Sequence, residues 1–306
     1  MARCFVTRRL PGDALERLAA QHEIDVWPKR MPPSPDELRE HTAGTEGLLC
    51  LLTDQVDAAL LDAAPNLRVI SNLAVGADNI DVAAAKARGI AVGYTPGVLT
   101  ETTADLAFAL LLAVARRLPE GMRAVRDGAW QTWEPDWLLG RDVNGATLVI
   151  VGAGRIGRAV ARRAEGFGMD VVLVGRDDPL APALAGADFV SLHAPLKDET
   201  RHLVDETFLR AMKPTAYLVN TARGGLVDQD ALARALDDGT IAGAALDVTD
   251  PEPLRPDHPL LDAPNLIVLP HLGSATHATR ERMADLAVDN LLAGLAGEPL
   301  PHEFGR

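Results

Sequence analysis

Residues 147–168 read TLVIVGAGRIGRAVARRAEGFG: a short β-branched apolar run, glycines at the spacing G-x-G-x-x-G, and then an amphipathic helical pattern. Gly152 permits the tight turn between strand and helix, Gly154 lets the backbone approach a pyrophosphate, and Gly157 lets helix and strand pack closely. Free N–H groups and the dipole at the start of the following helix favour a diphosphate there. A strand before the glycines and a helix after them point to a dinucleotide-binding α/β domain; a glycine turn that binds nothing is the weaker reading.

The next strand ends VVLVGRDD, residues 171–178. Binders of NAD place an acid near this point to accept hydrogen bonds from the ribose 2′-hydroxyl. Here Gly175 stands at that place and Arg176 follows. A guanidinium holds a 2′-phosphate that an acid would repel, so the pattern favours NADP(H). NAD(H) is the alternative if Asp177 or Asp178 bends back toward the ribose.

Apolar runs at 4–7, 24–27, 47–51, 68–72 and 90–94 also read as buried strands. Helical stretches at 12–21, 34–41, 57–64 and 81–88 separate them, and Ser34-Pro35 with Glu37 is a helix-start signal. Short apolar strands alternating with helices imply a parallel sheet. A long helix is expected over 102–127, apolar on every face at 106–115, so it must be covered by a second domain or a second subunit. A loop with Trp130, Trp133 and Trp137 follows it. Six further strands, at 147–151, 171–174, 189–193, 216–220, 242–247 and 266–269, suit a doubly wound sheet. Helices at 155–167, 205–212 and 228–238 lie among them, and a last helix spans 276–296.

Three ionisable residues stand at the carboxyl ends of those later strands: Arg223 after AYLVN, Glu252 after GAALDV and His271 after NLIVLP. Ligands of open α/β sheets bind at such ends. Reduction of a 2-keto acid needs a hydride at the carbonyl carbon and a proton at its oxygen. A histidine is a suitable acid near neutral pH, a neighbouring carboxylate orients it, and an arginine clamps the substrate carboxylate while polarising the ketone. His193, which also ends a strand, competes with His271 for the acid role.

Composition narrows the class. With 306 residues, two domains are expected. The net charge of −13 argues against a nucleic-acid partner, while a few local cations still admit an anionic ligand. Cys4 and Cys50 sit in apolar runs, which fits reduced thiols of a cytoplasmic protein and neither a disulfide framework nor a metal site. No apolar run reaches the roughly 20 residues of a membrane span, and the N-terminus lacks a signal-peptide pattern.

Taken together, NLAVGADNIDV (72–82), TPGVLTETTADLA (95–107), VGAGRIG, HAPLKDET (193–200), NTARGGLVD (220–228), ALDVTDPEPL (245–254) and LPHLGSAT (269–276) resemble the D-isomer-specific 2-hydroxyacid dehydrogenases over nearly the whole chain. LLCLLTDQVD and WQTWEPDWLLG look most like the glyoxylate/hydroxypyruvate reductases of that family. The resemblance implies Arg223 as carboxylate clamp, Glu252 as the histidine's partner and His271 as proton donor. It implies that the amides of Val75 and Gly76 hold the substrate carboxylate, and that Trp133 reaches a partner subunit's site and limits substrate size. Thr103, Arg155, Ile156, Pro195, Thr221, Asp247 and Gly273 would join the glycines around the cofactor, with Asp247 near the carboxamide and Arg176 on the 2′-phosphate. The fold implied is a flavodoxin-like α/β substrate domain, residues 1–97 and 280–306, and a Rossmann-type domain, 98–279. The helix at 106–115 would form the core of a homodimer. Glu252 argues against the formate dehydrogenases, which resemble the chain but carry glutamine there, and the end at Arg306 argues against a regulatory extension. The function implied is NADPH-dependent reduction of glyoxylate or hydroxypyruvate. The alternatives are a NAD-dependent dehydrogenase of a bulkier D-2-hydroxy acid and a cofactor-sensing, dehydrogenase-like binding protein.

Overall fold

The apolar runs of the N-terminal third form strands because their β-branched and leucine side chains are covered on both faces. In a computed structural model, which describes residues 1–305, they are β1 (Arg3–Val6), β2 (Glu23–Val26), β3 (Gly47–Cys50), β4 (Val69–Asn72) and β5 (Ala91–Gly93). Between them run α1 (Ala14–Ala19), α2 (Pro35–Thr42), α3 (Ala58–Ala63) and α4 (Val82–Ala87). Ser34 and Glu37 close a capping box at α2: Glu37 N donates to Ser34 Oγ (3.3 Å) and Ser34 N to Glu37 Oε2 (2.9 Å).

The chain continues with α5 (Thr100–Ala115), α6 (Leu118–Arg126), β6 (Thr147–Val151), α7 (Arg155–Gly166) and β7 (Asp170–Val174). Then come α8 (Leu180–Gly186), β8 (Phe189–Leu192), α9 (Glu206–Ala211), β9 (Tyr217–Asn220), α10 (Gln229–Asp237), β10 (Gly243–Leu246), β11 (Leu266–Val268) and α11 (His277–Ala296). Two units result, one of Met1–Leu99 with the segment from Ala275 onward, the other of Thr100–Ser274. The crossings fall at 99–100 and 274–275, where the sequence suggests 97 and 280, because α5 begins at Thr100 and α11 is capped by Thr276. Arg306, the end of the expected second segment, lies outside the described residues.

The first unit holds a parallel sheet of order β2-β1-β3-β4-β5. Met283, Ala287 and Leu291 of α11 pack with Cys4, Val6 and Leu49 on one side of it, and Leu38, Leu60 and Ala85 of α2–α4 with Phe5, Leu48 and Ile70 on the other. The second unit holds a parallel sheet of order β11-β10-β9-β8-β6-β7. Ala104, Ala107, Phe108 and Leu111 of α5 cover one of its faces together with α7, and α8–α10 supply the core of the other.

Two sequence expectations are corrected. The helix expected over 102–127 is broken into α5 and α6 by Arg117, which adopts a left-handed φ of 52°. Pro119 explains the break, since its ring fits only the first turn of a helix. The helix α8 was not expected, because Pro182 inside a seven-residue segment obscures its pattern. Among the described residues, no helix is long and apolar enough to cross a membrane.

Asp188 ties the second sheet together. Its carboxylate accepts from Thr147 N (3.0 Å), Arg141 Nη2 (2.9 Å) and Lys213 Nζ (3.1 Å). Burial alone would raise its pKa, but the Thr147 amide and the two cations outweigh burial and hold it below the ordinary value. We expect Asp188→Asn to cost about 2 kcal/mol of stability at pH 7. Because the folded pKa is the depressed one, this contribution is present above the unfolded value, about 3.9, and is lost as pH falls through the folded value. The gap in denaturation midpoint between wild type and variant should therefore close in acid titrations below about pH 4.

Candidate active site

Strand order in the second unit reverses at β6, which lies between β7 and β8, and the crevice at such a reversal is where α/β sheets take ligands. Gly152 makes the turn there with φ 109°, and a Cβ on it would lie 2.5 Å from the carbonyl carbon of His193. Gly154 caps α7, has open space where a side chain would project, and is followed by a first turn without acids. Arg155 and Ile156 sit on that turn, exposed and half-buried, and Gly157 is buried behind it. At the end of β9, Thr221 Oγ1 is buried and without a hydrogen-bond partner among the described residues. Open helix-terminal amides and an unmatched hydroxyl at one sheet edge fit a dinucleotide. Pro195 lies exposed on the loop after β8, its carbonyl accepting from Thr200 Oγ1 (2.8 Å).

The loop at the end of β7 turns back on itself. Gly175 N donates to Asp178 Oδ2 (2.7 Å), so Asp178 bends back and returns a carboxylate to the strand end beside Arg176.

The ends of β9, β10 and β11 carry the ionisable residues. Asn220 shapes the first loop: its Nδ2 donates to Arg223 O (2.8 Å) and its Oδ1 accepts from Ala222 N (3.0 Å). Arg223 Nη1 donates to Ala222 O (2.9 Å). Gly224 then passes so close to the next loop that a Cβ on it would lie 1.9 Å from Thr249 O. In that loop Glu252 Oε1 accepts from Thr249 N (3.1 Å), and its Oε2 stands 2.9 Å from His271 Nδ1. Both side chains of this pair remain partly open to solvent.

His271 adopts a left-handed φ of 57°, with its N–H donating to Asp247 O (2.9 Å). The Asp247 carboxylate accepts from Leu272 N (2.6 Å) and Gly273 N (2.8 Å), and Thr103 Oγ1 donates to Gly273 O (3.1 Å). Thr103, Asp247 and Gly273 thus form one cluster that holds the His271 turn. Burial pushes the Asp247 carboxyl upward against the two amides that favour its charged form.

His193 differs from His271. Its Nε2 meets Ser191 Oγ (2.9 Å), and burial pushes its pKa down to about 4. A histidine neutral across physiological pH is a poor proton donor there.

Trp133 stands 80% exposed, without a ring or hydrogen-bond partner among the described residues. Val75 and Gly76 lie on the loop after β4 in the first unit, half-buried, and neither amide donates to an acceptor among the described residues. Sequence reasoning missed the bracing roles of Asn220 and Thr249 and the clamp formed by Asp247. A polar residue closing an apolar strand, as in YLVN and AALD, is the signal that marks two of them. Among the described residues, no group of His, Cys, Asp and Glu is placed to hold a metal.

Similarity to known proteins points toward the same chemistry. Residues 108–273 match the family model of the D-isomer specific 2-hydroxyacid dehydrogenase NAD binding domain. A glyoxylate reductase of Korarchaeum cryptofilum is 51% identical, over 98% of this chain and 95% of the relative. Among solved structures, the TT0316 protein of Thermus thermophilus superposes with a TM-score of 0.94 at 51% identity, covering 99% of each chain. The NADPH-dependent glyoxylate/hydroxypyruvate reductase of Sinorhizobium meliloti, solved with NADP and malonate, gives 0.87 at 34% identity, over 99% of this chain and 97% of that one.

The contact at Gly224 makes a direct test of the cluster. Gly224→Ala must separate the Arg223 loop from the Thr249–Glu252 loop, and displacements of about 1 Å cost on the order of 100-fold in rate. The expected result is a loss of that size in kcat/KM with an unchanged far-ultraviolet circular dichroism spectrum. Wild-type turnover would show that the two loops need not meet.

Proposed function

The chain belongs to the D-isomer-specific 2-hydroxyacid dehydrogenases, a family of NAD(P)-dependent oxidoreductases, and on that premise we propose that it reduces glyoxylate or hydroxypyruvate with NADPH. The observation that carries the proposal is the Glu252–His271 pair at 2.9 Å, at the sheet edge that also bears the dinucleotide turn. When bound, the reduced nicotinamide supplies a hydride to the keto carbon. Glu252 engages His271 Nδ1, which leaves Nε2 to give the carbonyl oxygen the proton that completes the hydroxyl. Arg223 clamps the substrate carboxylate and polarises the ketone. The amides of Val75 and Gly76, which donate to no acceptor among the described residues, are assigned to a substrate carboxylate.

Arg176 supports the choice of NADPH, as does the name of the Sinorhizobium meliloti relative. The bent-back Asp178 favours the second reading, in which NADH also serves. A homodimer is supported by an apolar groove between α5 and α6, lined by Leu106, Ala109, Ala113, Leu118 and Met122. Leu118 and Met122 are 51% and 68% exposed in the single chain. Trp133 is then free to reach the partner's site and restrict substrate size. Two buried thiols fit a cytoplasmic enzyme.

Three measurements test this reading. His271→Ala should lower kcat about 100- to 10,000-fold and leave the NADPH dissociation constant within about twofold, whereas unaltered turnover would remove His271 from the mechanism. The ratio of kcat/KM with NADPH to that with NADH should exceed one and rise about tenfold in Asp178→Asn, equivalent to about 1.4 kcal/mol. A strong NADH preference that survives this substitution would sink the reading of Arg176. By light scattering the protein should be a dimer that Met122→Lys dissociates; a monomeric wild type would contradict the dimer.

A further inference from the structure

Among the polar residues buried almost completely in the first unit are Thr7 (0%), Cys50 (0%), Asp54 (2%), Asn72 (0%) and Asn79 (6%). Four of them, Thr7, Asp54, Asn79 and Asn72, form one hydrogen-bonded chain at the carboxyl ends of β1, β3 and β4. Thr7 Oγ1 and Leu51 N (2.7 Å) both donate to Asp54 Oδ2. Asn79 Nδ2 donates to Asp54 O (2.9 Å) and Leu51 O (3.0 Å), and Asn79 O accepts from Val56 N (2.9 Å). Asn72 Nδ2 donates to Asn79 Oδ1 (2.9 Å) and to Gly76 O (2.9 Å). The chain of bonds therefore ends on the loop that carries the unmatched amides of Val75 and Gly76.

Peptide geometry says what this does. In a trans peptide the C=O and N–H point in opposite directions. Thr95 N donates to Ala74 O (2.9 Å), which fixes the peptide plane carrying the Val75 amide. The Asn72 bond to Gly76 O fixes the plane on the far side of Gly76. The Gly76 amide, held between two pinned planes, keeps its direction. We infer that Asn72, held in turn by Asn79 and Asp54, is a positioning residue that aims the Val75 and Gly76 amides for an anionic carboxylate. The inference rests on the assignment of those amides to the substrate carboxylate, as proposed above. A buried network of this kind commits the loop to one arrangement only while every member is satisfied.

The test uses Asn72→Leu, which keeps the volume and removes both donated bonds, and Thr7→Val, which removes one hydroxyl at the far end. Hydrogen exchange of residues 73–79 is read alongside steady-state kinetics with glyoxylate and inhibition by oxamate, a carboxylate-bearing substrate mimic. In Asn72→Leu, KM and the oxamate inhibition constant should rise about tenfold with kcat within twofold, as for an interaction equal in ground and transition states. The NADPH dissociation constant should not move, and exchange in 73–79 should quicken at least tenfold. Thr7→Val should show the same pattern at about threefold, which keeps the test alive if Asn72→Leu does not fold. Unchanged KM with faster exchange overturns the inference, as does unchanged exchange in a folded variant. A parallel fall in kcat, KM and cofactor affinity overturns it too, since that marks a merely structural role. If wild type reduces no 2-keto acid, the proposed function has failed, and the exchange measurement alone then decides whether Asn72 orders the loop.

Discussion

The turn that carries His271 hangs on one buried carboxylate. Asp247, 1% exposed at the end of β10, accepts the amides of Leu272 and Gly273, and its own carbonyl accepts the amide of His271. Three successive N–H groups thus converge on one residue. That convergence sustains a left-handed backbone at His271, a conformation uncommon outside glycine, asparagine and aspartate but open to histidine. Without it the ring would not arrive at Glu252, because nothing in β11 itself aims the residue after a proline toward the neighbouring strand. Burial pushes the Asp247 carboxyl upward, and the two amides bonded to it oppose that rise by favouring its charged form.

The same logic runs through the rest of the chain. A net charge of −13 surrounds sites assigned to anionic ligands, and each site answers that field locally. The α7 terminus offers amides and no acids in its first turn, the β9 loop offers Arg223, and the β4 loop offers the amides of Val75 and Gly76. Backbone donors are suited to this because they carry no mobile charge and keep their direction once the loop is braced. Two loops are braced by asparagines that close an apolar strand, Asn72 after VIS and Asn220 after YLV. Each is fully buried and donates through its amide group to a carbonyl three or four residues on. The parallel sheets supply rigid ends, and short side-chain bonds turn those ends into oriented sites.

Much of this architecture was legible in the sequence where the signal is local. Strands of four or five apolar residues, the glycines at 152, 154 and 157, and the capping box at Ser34 depend on neighbours within a few positions. The position of Arg223, Glu252 and His271 after the ends of β9, β10 and β11 was legible because polar residues following apolar parallel strands emerge at one end of the sheet. What was illegible depends on distance or on competition. The break at Arg117 sets Pro119 against an otherwise continuous apolar helix, and hydropathy does not weigh that contest. Helix α8 hides behind Pro182. The bond between Asp178 and the Gly175 amide is a choice among several loop conformations that the residues VGRDD permit equally. The Thr7–Asp54–Asn79–Asn72 chain joins three strands, and no pattern along the sequence brings its members together.

The central claim is that one sheet edge places a carboxylate-oriented histidine and an arginine on the same carbonyl oxygen. The most direct measurement is a crystal structure of the complex with the oxidised cofactor and oxamate. His271 Nε2 should then stand within hydrogen-bond reach, about 2.6–3.2 Å, of the oxamate amide-end oxygen. The Arg223 guanidinium should bridge that oxygen and the carboxylate. An inhibitor seated with His271 beyond about 5 Å, or with His193 in its place, lies outside the reach of direct proton transfer and would contradict the claim.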